Sequence, residues 1–267
     1  MKAVDEVKPS VVLQEVSHVY VSGKNAFLAL ERIGFTLQAG EFVSLVGPSG
    51  CGKTTLLSIV AGLIAPTAGR VEVGGKAVTG PSRQIGYMLQ HDYLFPWRTI
   101  LDNSLIGLEL HGNITERQRG EALGLLAEMG LGDVAGQYPH QLSGGMRQRV
   151  ALVRTLVTSP DILLLDEPFS ALDYQTKLQL EQLVADTLRK WGKSALLVTH
   201  DISEAIAMSD RVIVMDRRPG RVRRDIRIPE EIRAASPMKA REMPGFHRLF
   251  GEIWNEFEDM EARREPL

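Results

Sequence analysis

Several features that would place this 267-residue chain in a particular protein class are scarce or missing. Its single cysteine, Cys51, cannot form an internal disulfide, which favours a reducing compartment. Acidic and basic residues nearly balance, at 33 and 31, so the charge gives no reason to expect binding to nucleic acid or anionic lipid. No apolar run approaches the roughly 20 residues that span a bilayer, and Met1–Ser10 lack the apolar stretch of a signal peptide. We therefore expect a cytoplasmic chain without a nucleic-acid partner, held at any membrane by another protein.

Strand and helix patterns alternate along most of the chain, which predicts a parallel sheet covered by helices. Lys53–Leu63, Gln175–Trp191 and Ile202–Met208 have the pattern of helices. Between about 95 and 160 the apolar residues take helical spacing, which predicts a mostly helical lobe inserted into the sheet domain. Eight segments have the pattern of strands: Val11–Tyr20, Phe35–Gln38, Phe42–Val46, Arg70–Val73, Ile85–Leu89, Ile162–Leu165, Ser194–Val198 and Val212–Met215.

The tail of the chain has its own pattern, so we divide the sequence into a main domain, 11–227, and a C-terminal extension, 228–267. Arg217–Arg227 is basic and turn-forming and predicts a pair of strands. We expect the following amphipathic helix to pack on the chain's own body, and a dimer or regulatory contact is the alternative. Its apolar stripe consists of Phe246, Leu249, Phe250, Ile253, Trp254 and Phe257.

A glycine-rich segment, which we call the phosphate loop, separates a predicted strand from a predicted helix. In such loops the backbone N–H groups turn toward phosphate oxygens, and the helix N-terminus adds positive charge. Lys53 can then reach the β- and γ-phosphates, Thr54 can ligate Mg²⁺ and Thr55 can donate to the α-phosphate. Because Cys51 lies in the loop, we expect ATP to protect its thiol from alkylation. The pattern G-x-x-x-x-G-K-[ST] is matched by Gly47, Pro48, Ser49, Gly50, Cys51, Gly52, Lys53 and Thr54.

The phosphate loop alone predicts only a nucleoside-triphosphate site, which kinases, GTPases and motor proteins share. An accidental match is expected in about one chain in a hundred of this length. More specific residues follow three other predicted strands. Asp166 and Glu167 end a buried strand, where Asp166 suits an outer-shell role toward Mg²⁺ and Glu167 can activate water. His200 could donate to the γ-phosphate, and the Gln90 amide oxygen could approach Mg²⁺ or water. Taken singly, Asp166 and Glu167 could be solvated acids that cap a strand end. A lone histidine such as His200 is more often structural, and Gln90 would be an ordinary surface glutamine.

The segment Leu142–Val150, with the sequence L-S-G-G-M-R-Q-R-V, resembles the signature of ABC ATPases and opens a predicted helix. The resemblance extends over about Val11–Val222 and includes the motifs above in the family's order. It implies a P-loop NTPase cassette with a RecA-like core around a parallel sheet, an N-terminal antiparallel β subdomain and an inserted helical lobe. It also implies that Ser143, Gly144 and Gly145 complete the ATP site of a second copy, so that two chains enclose two ATP molecules head to tail.

The same resemblance assigns roles to single residues. It implies an ATPase in which Lys53, Glu167 and His200 are catalytic, and Mg²⁺ is bound near Thr54, Gln90 and Asp166. Asp173, in the segment Ser170–Asp173, is implied to be a dimer contact. Tyr20 resembles the aromatic residue that stacks on adenine, and an ordinary tyrosine at a sheet edge is the alternative.

One segment resembles a single branch of the family. Tyr87–Asn103 is similar to importers of nitrate, sulfonates, taurine and pyrimidine precursors, and Arg218–Arg221 fits the same branch. The likeness implies two integral membrane permease subunits, an extracytoplasmic solute-binding protein as indirect partner, and a peripheral position on the cytoplasmic face of the inner membrane. Phe95 and Trp97 are implied to receive the coupling helix of the permease, whereas Leu94 could equally pack inside the helical lobe.

Other ATPases with this signature fit the sequence less well. DNA-repair and chromosome-organising ATPases insert a very long coiled coil between phosphate loop and signature, for which the interval from Lys53 to Ser143 has no room. Translation factors of the family carry two cassettes, and this chain shows one. Other P-loop kinases lack the signature, and exporters often fuse the cassette to membrane spans.

Overall fold

Apolar runs of strand length form the centre of the structure, as the sequence predicts. The computed structural model describes residues 8–23, 25–170 and 172–262. The strands are β1 (Val11–Ser22), β2 (Asn25–Leu37), β3 (Phe42–Val46), β4 (Ala68–Val73), β5 (Lys76–Ala77), β6 (Ile85–Met88), β7 (Ile162–Asp166), β8 (Ser194–Thr199), β9 (Arg211–Met215) and β10 (Val222–Arg227). The helices are α1 (Lys53–Val60), α2 (Ile100–Glu109), α3 (Glu116–Glu128), α4 (Gly144–Leu156), α5 (Tyr174–Trp191), α6 (Ile202–Met208), α7 (Glu230–Arg233), α8 (Pro237–Ala240) and α9 (Phe246–Ala262).

The larger sheet brings the predicted site segments to one edge. Its strand order is β10-β9-β3-β8-β7-β6, and all neighbours except β10 and β9 are parallel. Every residue of β3, β7 and β8 is buried, which confirms the burial predicted for β7. Because β3, β8, β7 and β6 are adjacent and parallel, the segments that follow them meet at their carboxyl ends. These segments begin with Gly47, His200, Glu167 and Leu89, the residue before Gln90.

The smaller sheet is antiparallel, with strand order β2-β1-β4-β5. The predicted strand Phe35–Gln38 is only the end of β2, which begins at Asn25. The first four residues of β2 are exposed, so they show no apolar alternation from which a strand could be predicted. The antiparallel β subdomain is therefore confirmed, with a longer hairpin than expected.

Three helices between β6 and β7 form the predicted helical lobe. Thr99 caps α2 by accepting a hydrogen bond from the Asp102 N–H, and Thr115 forms a capping box at α3. Leu105, Leu126 and Val153, from α2, α3 and α4, are fully buried in one apolar cluster with residues of the larger sheet. The helical character of the lobe is confirmed, and its limits as a unit, 95–160, stay a prediction.

The prediction of a strand pair within Arg217–Arg227 is wrong. Only β10 is a strand, and it pairs with β9. The residues before it form a turn that is tied to β2: the Gly220 N–H donates to the Ala29 carbonyl and the Glu31 N–H to the Gly220 carbonyl, each at 2.9 Å. Since β9 offers an open edge, β10 completes the larger sheet instead of pairing with its own neighbours.

The apolar stripe near the C-terminus forms α9 and packs on this chain's own body, as expected. Phe246, Leu249 and Ile253 are buried against α6, β9 and β10, whereas Trp254 at the margin of the stripe is 49% exposed. The C-terminal extension predicted from the sequence, 228–267, includes 263–267, which lie outside the described residues. Among the residues that are described, no helix is both long and apolar enough to cross a bilayer.

Candidate nucleotide-binding site

The phosphate loop connects β3 to α1 with the backbone geometry that its glycines permit. Gly52 has φ of +92° and precedes the first residue of α1. A Cβ atom there would lie 2.5 Å from Leu30 Cδ2, and one on Gly47 would lie 2.8 Å from the Met215 carbonyl oxygen. Side chains at these two positions would therefore push the loop away from the sheet, so both must be glycine for the loop to close.

Lys53 is held inside the loop that it follows. The residue is 8% exposed, and its Nζ donates to the carbonyl oxygens of Gly47 at 2.7 Å and Pro48 at 3.2 Å. The ammonium group thus lies over the loop at the N-terminus of α1, where backbone N–H groups are free of helical partners. A phosphate group bound in the loop would replace these carbonyl oxygens with its own oxygens as the hydrogen-bond acceptors of Lys53 Nζ.

Cys51 does not face the phosphate position, contrary to the alkylation prediction. Its side chain is fully buried in the apolar cluster under α1, and burial raises the pKa of its thiol. Only its backbone is available to a nucleotide, and its N–H already donates to the Pro48 carbonyl at 3.3 Å. A position within the loop sequence therefore did not predict the direction of the side chain.

Asp166 is buried at the end of β7 and connects two neighbouring elements. Thr54 Oγ1 donates to its Oδ1 at 3.2 Å, and the Tyr87 hydroxyl donates to its Oδ2 at 3.4 Å. Burial raises the pKa of Asp166, and burial together with the charge of Asp166 raises the pKa of Tyr87 to about 12. No role for Tyr87 was predicted from the sequence, although its position on β6, which pairs with β7, brings it to Asp166.

Two side chains from neighbouring strand ends fix Glu167. Its Oε2 accepts a hydrogen bond from Gln90 Nε2 at 3.1 Å and lies 3.3 Å from His200 Nδ1. The backbone of Glu167 has φ of +48°, an uncommon conformation for a residue with a side chain. Its N–H donates to the Val198 carbonyl at 2.9 Å, which keeps it beside β8 in that conformation. Three predicted site residues, Gln90, Glu167 and His200, thus meet at one carboxylate oxygen.

The arrangement of oxygen atoms at Thr54 and Asp166 is suited to Mg²⁺. This ion prefers oxygen ligands and commonly takes only one or two from the protein, with water and phosphate oxygens as the others. A hydroxyl and a carboxylate 3.2 Å apart, at the mouth of the phosphate loop, meet that requirement. The described residues contain no cluster of three or more His, Cys, Asp or Glu side chains that could hold a metal without such added ligands.

A pocket of about 590 Å³ opens over the phosphate loop, and most predicted nucleotide contacts border it. Tyr20 is 45% exposed on its wall, and its hydroxyl is 3.2 Å from Thr55 Oγ1. Phe27, which sequence analysis missed, is the direct cross-strand partner of Tyr20 on β2 and also borders the pocket. The described residues that line it are Tyr20, Phe27, Ala29, Ser49, Gly50, Gly52, Lys53, Thr54, Thr55, Gln90, Glu167 and His200.

The signature residues lie outside this pocket. Ser143 caps α4 by accepting a hydrogen bond from the Met146 N–H at 3.3 Å, and Gly144 and Gly145 form the first turn. Ser143 and Gly144 are exposed, so the N-terminus of α4 is open to a group from outside the chain. Asp173 likewise caps α5 at the surface, and its hydrogen bonds from Thr176 lower its pKa. Ala171, beside Asp173 in the predicted contact segment, is not among the described residues.

The helix behind the signature contacts the segment after β6. Gln148 Nε2 donates to the Gln90 carbonyl at 2.9 Å, and Arg147 Nε donates to Asp92 Oδ2 at 2.9 Å. Farther along α4, Arg154 donates to the Asp92 carbonyl at 2.7 Å. The segment that positions Gln90 over Glu167 is therefore bound to the same helix that presents the signature.

Of the two predicted coupling residues, Trp97 is exposed and Phe95 is half-buried, on a loop that is hydrogen-bonded to α2. Trp97 is 71% exposed, and its ring centroid is 5.4 Å from that of the half-buried Phe95. Leu94 is 8% exposed and packs inside the helical lobe, which is the alternative that the sequence left open. The fully buried Asn103 binds the loop from beneath, accepting from the Phe95 N–H at 2.7 Å.

Comparison with known proteins gives a consistent result. The family model described as ABC transporter matches residues 30–170. The uncharacterized ABC transporter ATP-binding protein YtlC of Bacillus subtilis is 52% identical over 252 residues, covering 94% of this chain and 97% of that protein. The nitrate import ATP-binding protein NrtD of Synechocystis is 39% identical, over 90% of this chain and 92% of its own. The taurine import ATP-binding protein TauB of Rhizobium johnstonii is 44% identical, over 73% and 74%.

Solved structures agree with the sequence comparisons. A dimeric structure of the ATP-binding cassette MJ0796, in a post-hydrolysis state bound to ADP and Pi, superposes with a TM-score of 0.75 at 34% identity. The match covers 82% of this chain and 99% of that one. The two sheets and the helical lobe described above are thus the fold of an ATP-binding cassette.

Proposed function

This chain belongs to the family of ABC transporter ATP-binding proteins, and from that premise we propose that it powers the import of a small solute of the nitrate, sulfonate or taurine type. Chains of this family bind and hydrolyse ATP. The import assignment is supported by relatives named for nitrate and taurine import, at 39% and 44% identity. It is also supported by the exposed Trp97, which lies beside the half-buried ring of Phe95.

The meeting of Gln90, Glu167 and His200 carries the catalytic part of the proposal. Glu167 is the general base: it accepts the proton of the water that attacks the γ-phosphate, and Gln90 and His200 hold its carboxylate toward the pocket. Lys53 binds the β- and γ-phosphates and stabilises the charge that develops on the transferring group. His200 donates to the γ-phosphate and so distinguishes ATP from ADP.

The remaining pocket residues bind the nucleotide. Gly47, Pro48, Ser49, Gly50, Cys51 and Gly52 contribute backbone groups to the phosphates, and Thr55 contributes its hydroxyl. Tyr20 stacks on the base. Thr54 and Asp166, with the amide oxygen of Gln90, hold Mg²⁺, which when bound would neutralise charge on the β- and γ-phosphates.

Two copies of the chain are needed to complete each site in this proposal. The first turn of α4, with Ser143, is exposed and lies outside its own chain's pocket, so it would close the pocket of a second copy. Asp173 lies at the same kind of exposed helix start and contacts the partner. The cassette MJ0796, which has this fold, is dimeric.

Phe95 and Trp97 would receive the coupling helix of a permease subunit, of which the transporter has two. This contact places the chain peripherally on the cytoplasmic face of the inner membrane. A solute-binding protein would be an indirect partner, and no nucleic acid is involved. An exposed tryptophan beside a second aromatic ring, on a loop fixed from beneath, suits a site that grips a helix. Within the chain, 11–227 is proposed as the ATPase domain and 228–267 as an extension.

Two experiments test the proposal separately. Glu167→Gln should lower ATP hydrolysis by about 10²–10⁴-fold with ATP binding retained, whereas Glu121→Gln, on an exposed helix face, should change neither. Full activity of Glu167→Gln would remove Glu167 from its role. The tagged Glu167→Gln chain with ATP should then co-purify with a multi-spanning membrane protein and a solute-binding protein from native membranes. Recovery of DNA or ribosomes instead would refute the transporter assignment.

A further inference from the structure

A buried group of charged side chains lies behind Glu167 and His200. We call it the Lys177 network: Lys177, Glu181, Asp201, Glu204 and Arg241. Glu181 is fully buried and Glu204 is 2% exposed, while the side chains of Lys177 and Arg241 are 14% and 15% exposed. Removing one partner from a buried ion pair leaves an uncompensated charge, which is costly. The members of this network therefore constrain one another's positions.

Lys177 fixes the start of the helix that follows His200. Its Nζ lies 2.7 Å from Asp201 Oδ2 and 2.6 Å from Glu204 Oε2. Asp201 comes directly after His200 and caps α6, accepting from the N–H groups of Ser203 and Glu204 at 2.8 and 3.1 Å. A displacement of Lys177 would thus move the first turn of α6 and, with it, the backbone next to His200.

The network also borders the catalytic side chains directly. Glu167 and His200 line the nucleotide pocket on one side and a second cavity of about 110 Å³ on the other. Lys177 and Glu204 lie on the wall of that second cavity. Glu204 Oε1 is buried and has no hydrogen-bond partner among the described residues. Part of the network thus shares a cavity with the carboxylate and the imidazole that face the nucleotide.

Arg241 connects the C-terminal extension to the network. One guanidinium nitrogen donates to Glu181 Oε2 at 2.8 Å, and another donates to the Pro237 carbonyl at 2.7 Å. Glu181 is four residues after Lys177 on α5, so both side chains lie on the same helix face. With Arg241 in place, the charge of Glu181 is compensated. Without it, the nearest cation for this buried carboxylate is Lys177, which already binds α6.

We propose that Arg241 and Lys177 are positioning residues through which the C-terminal extension sets the place of His200 and hence the rate of ATP hydrolysis. The inference rests on the roles proposed above for Glu167 and His200. Arg241 keeps Glu181 from competing for Lys177, and Lys177 in turn keeps α6 and His200 in the geometry that hydrolysis needs. A partner or modification that withdrew Arg241 would slow the enzyme without touching the nucleotide.

Steady-state hydrolysis by the purified full chain, per mole of ATP-binding sites, tests this. Arg241→Met should lower kcat by between about twofold and thirtyfold, the range for coupling through such packed networks. The KM for ATP should be unchanged, because Arg241 does not line the nucleotide pocket. Adding Glu181→Gln to Arg241→Met should restore kcat to within about twofold, since no carboxylate then competes for Lys177. Arg248→Met, which removes an exposed arginine of the same extension, should have no effect.

The outcomes separate this inference from the proposed function. An unchanged kcat for Arg241→Met, or a loss that persists in the double variant, would overturn the inference as long as the wild type hydrolyses ATP and Glu167→Gln does not. A wild type without ATPase activity would refute the proposed function instead. If Arg241→Met fails to fold, Arg241→Gln replaces it in the same comparison of kcat, because glutamine has an uncharged amide donor in place of the guanidinium group.

Discussion

Replacing Asn103 by alanine should release the loop that carries the proposed permease contact. Asn103 lies in the first turn of α2, and its side chain is fully buried. Its Oδ1 accepts from the Phe95 N–H at 2.7 Å, and its Nδ2 lies within 2.9–3.1 Å of the carbonyl oxygens of Phe95, Arg98 and Thr99. One amide thus binds both ends of the short segment that contains Trp97.

The cost of this change follows from these contacts. An amide has two N–H donors, so the three carbonyl contacts amount to two full hydrogen bonds, and the Phe95 N–H supplies a third. At about 1 kcal/mol net for each, the lost bonds account for roughly 3 kcal/mol. The part-buried Phe95 N–H would be left without a partner, which adds about 1 kcal/mol. We therefore expect Asn103→Ala to lower the free energy of unfolding by about 4 kcal/mol.

Urea unfolding and hydrogen exchange of residues 95–99 would measure the effect. Ser104→Ala is a matched control, because Ser104 is equally buried on the same helix but makes one bond, to the Ile100 carbonyl, which also accepts within the helix. It should cost under about 1 kcal/mol and leave the exchange of 95–99 unchanged. If Asn103→Ala cost no more than the control, with exchange of 95–99 as slow as in the wild type, the reasoning would be wrong.

Two further predictions concern titration and reactivity. Burial raises the pKa of Glu204 to about 7 from 4.5. The folded chain therefore holds this proton more tightly than the unfolded one, and the associated stability is present below pH 4.5 and lost as the pH rises through 7. Relative to Glu204→Gln, the wild type should lose about 3 kcal/mol of unfolding free energy between pH 4.5 and 8. A difference in unfolding free energy between the two proteins that stays the same over this pH range would contradict this. The buried, high-pKa thiol of Cys51 should react slowly with a maleimide in the folded chain, with or without ATP, and rapidly in guanidinium chloride. Fast labelling that ATP blocks would place the thiol at the nucleotide after all.

The parts of the fold that rest on strong local constraints could be predicted from the sequence. β3 and α6 have the predicted bounds, because a run that is apolar except for Ser44 fixes the strand and the Asp201 cap fixes the start of the helix. Gln90, Glu167 and His200 each follow a predicted parallel strand, and they do lie together at one edge of the sheet. Their meeting at a single carboxylate oxygen could not be predicted from the sequence, because it depends on the uncommon backbone conformation of Glu167, with φ of +48°.

Features that depend on distant neighbours could not be predicted in this way. The exposed start of β2 has no apolar alternation, so its strand conformation follows only from pairing with β1. The thiol of Cys51 is buried in the apolar cluster under α1, and the motif does not encode this direction of the side chain. The pairing of Arg241 with Glu181 joins residues far apart in sequence, and without a partner each would be interpreted as a surface charge.

The order of the larger sheet has a consequence for solubility of the folded chain. A sheet that is open at both sides exposes unpaired N–H and carbonyl groups that can recruit a strand from another molecule. At one side the end strand β6 has only four residues. At the other, β10 carries Arg223 and Arg224, which form ion pairs with Glu252 and Glu256 of α9. A short strand and a charged, helix-braced strand both discourage strand addition, so loss of α9 would expose this chain to aggregation through β10 before it affected the nucleotide pocket.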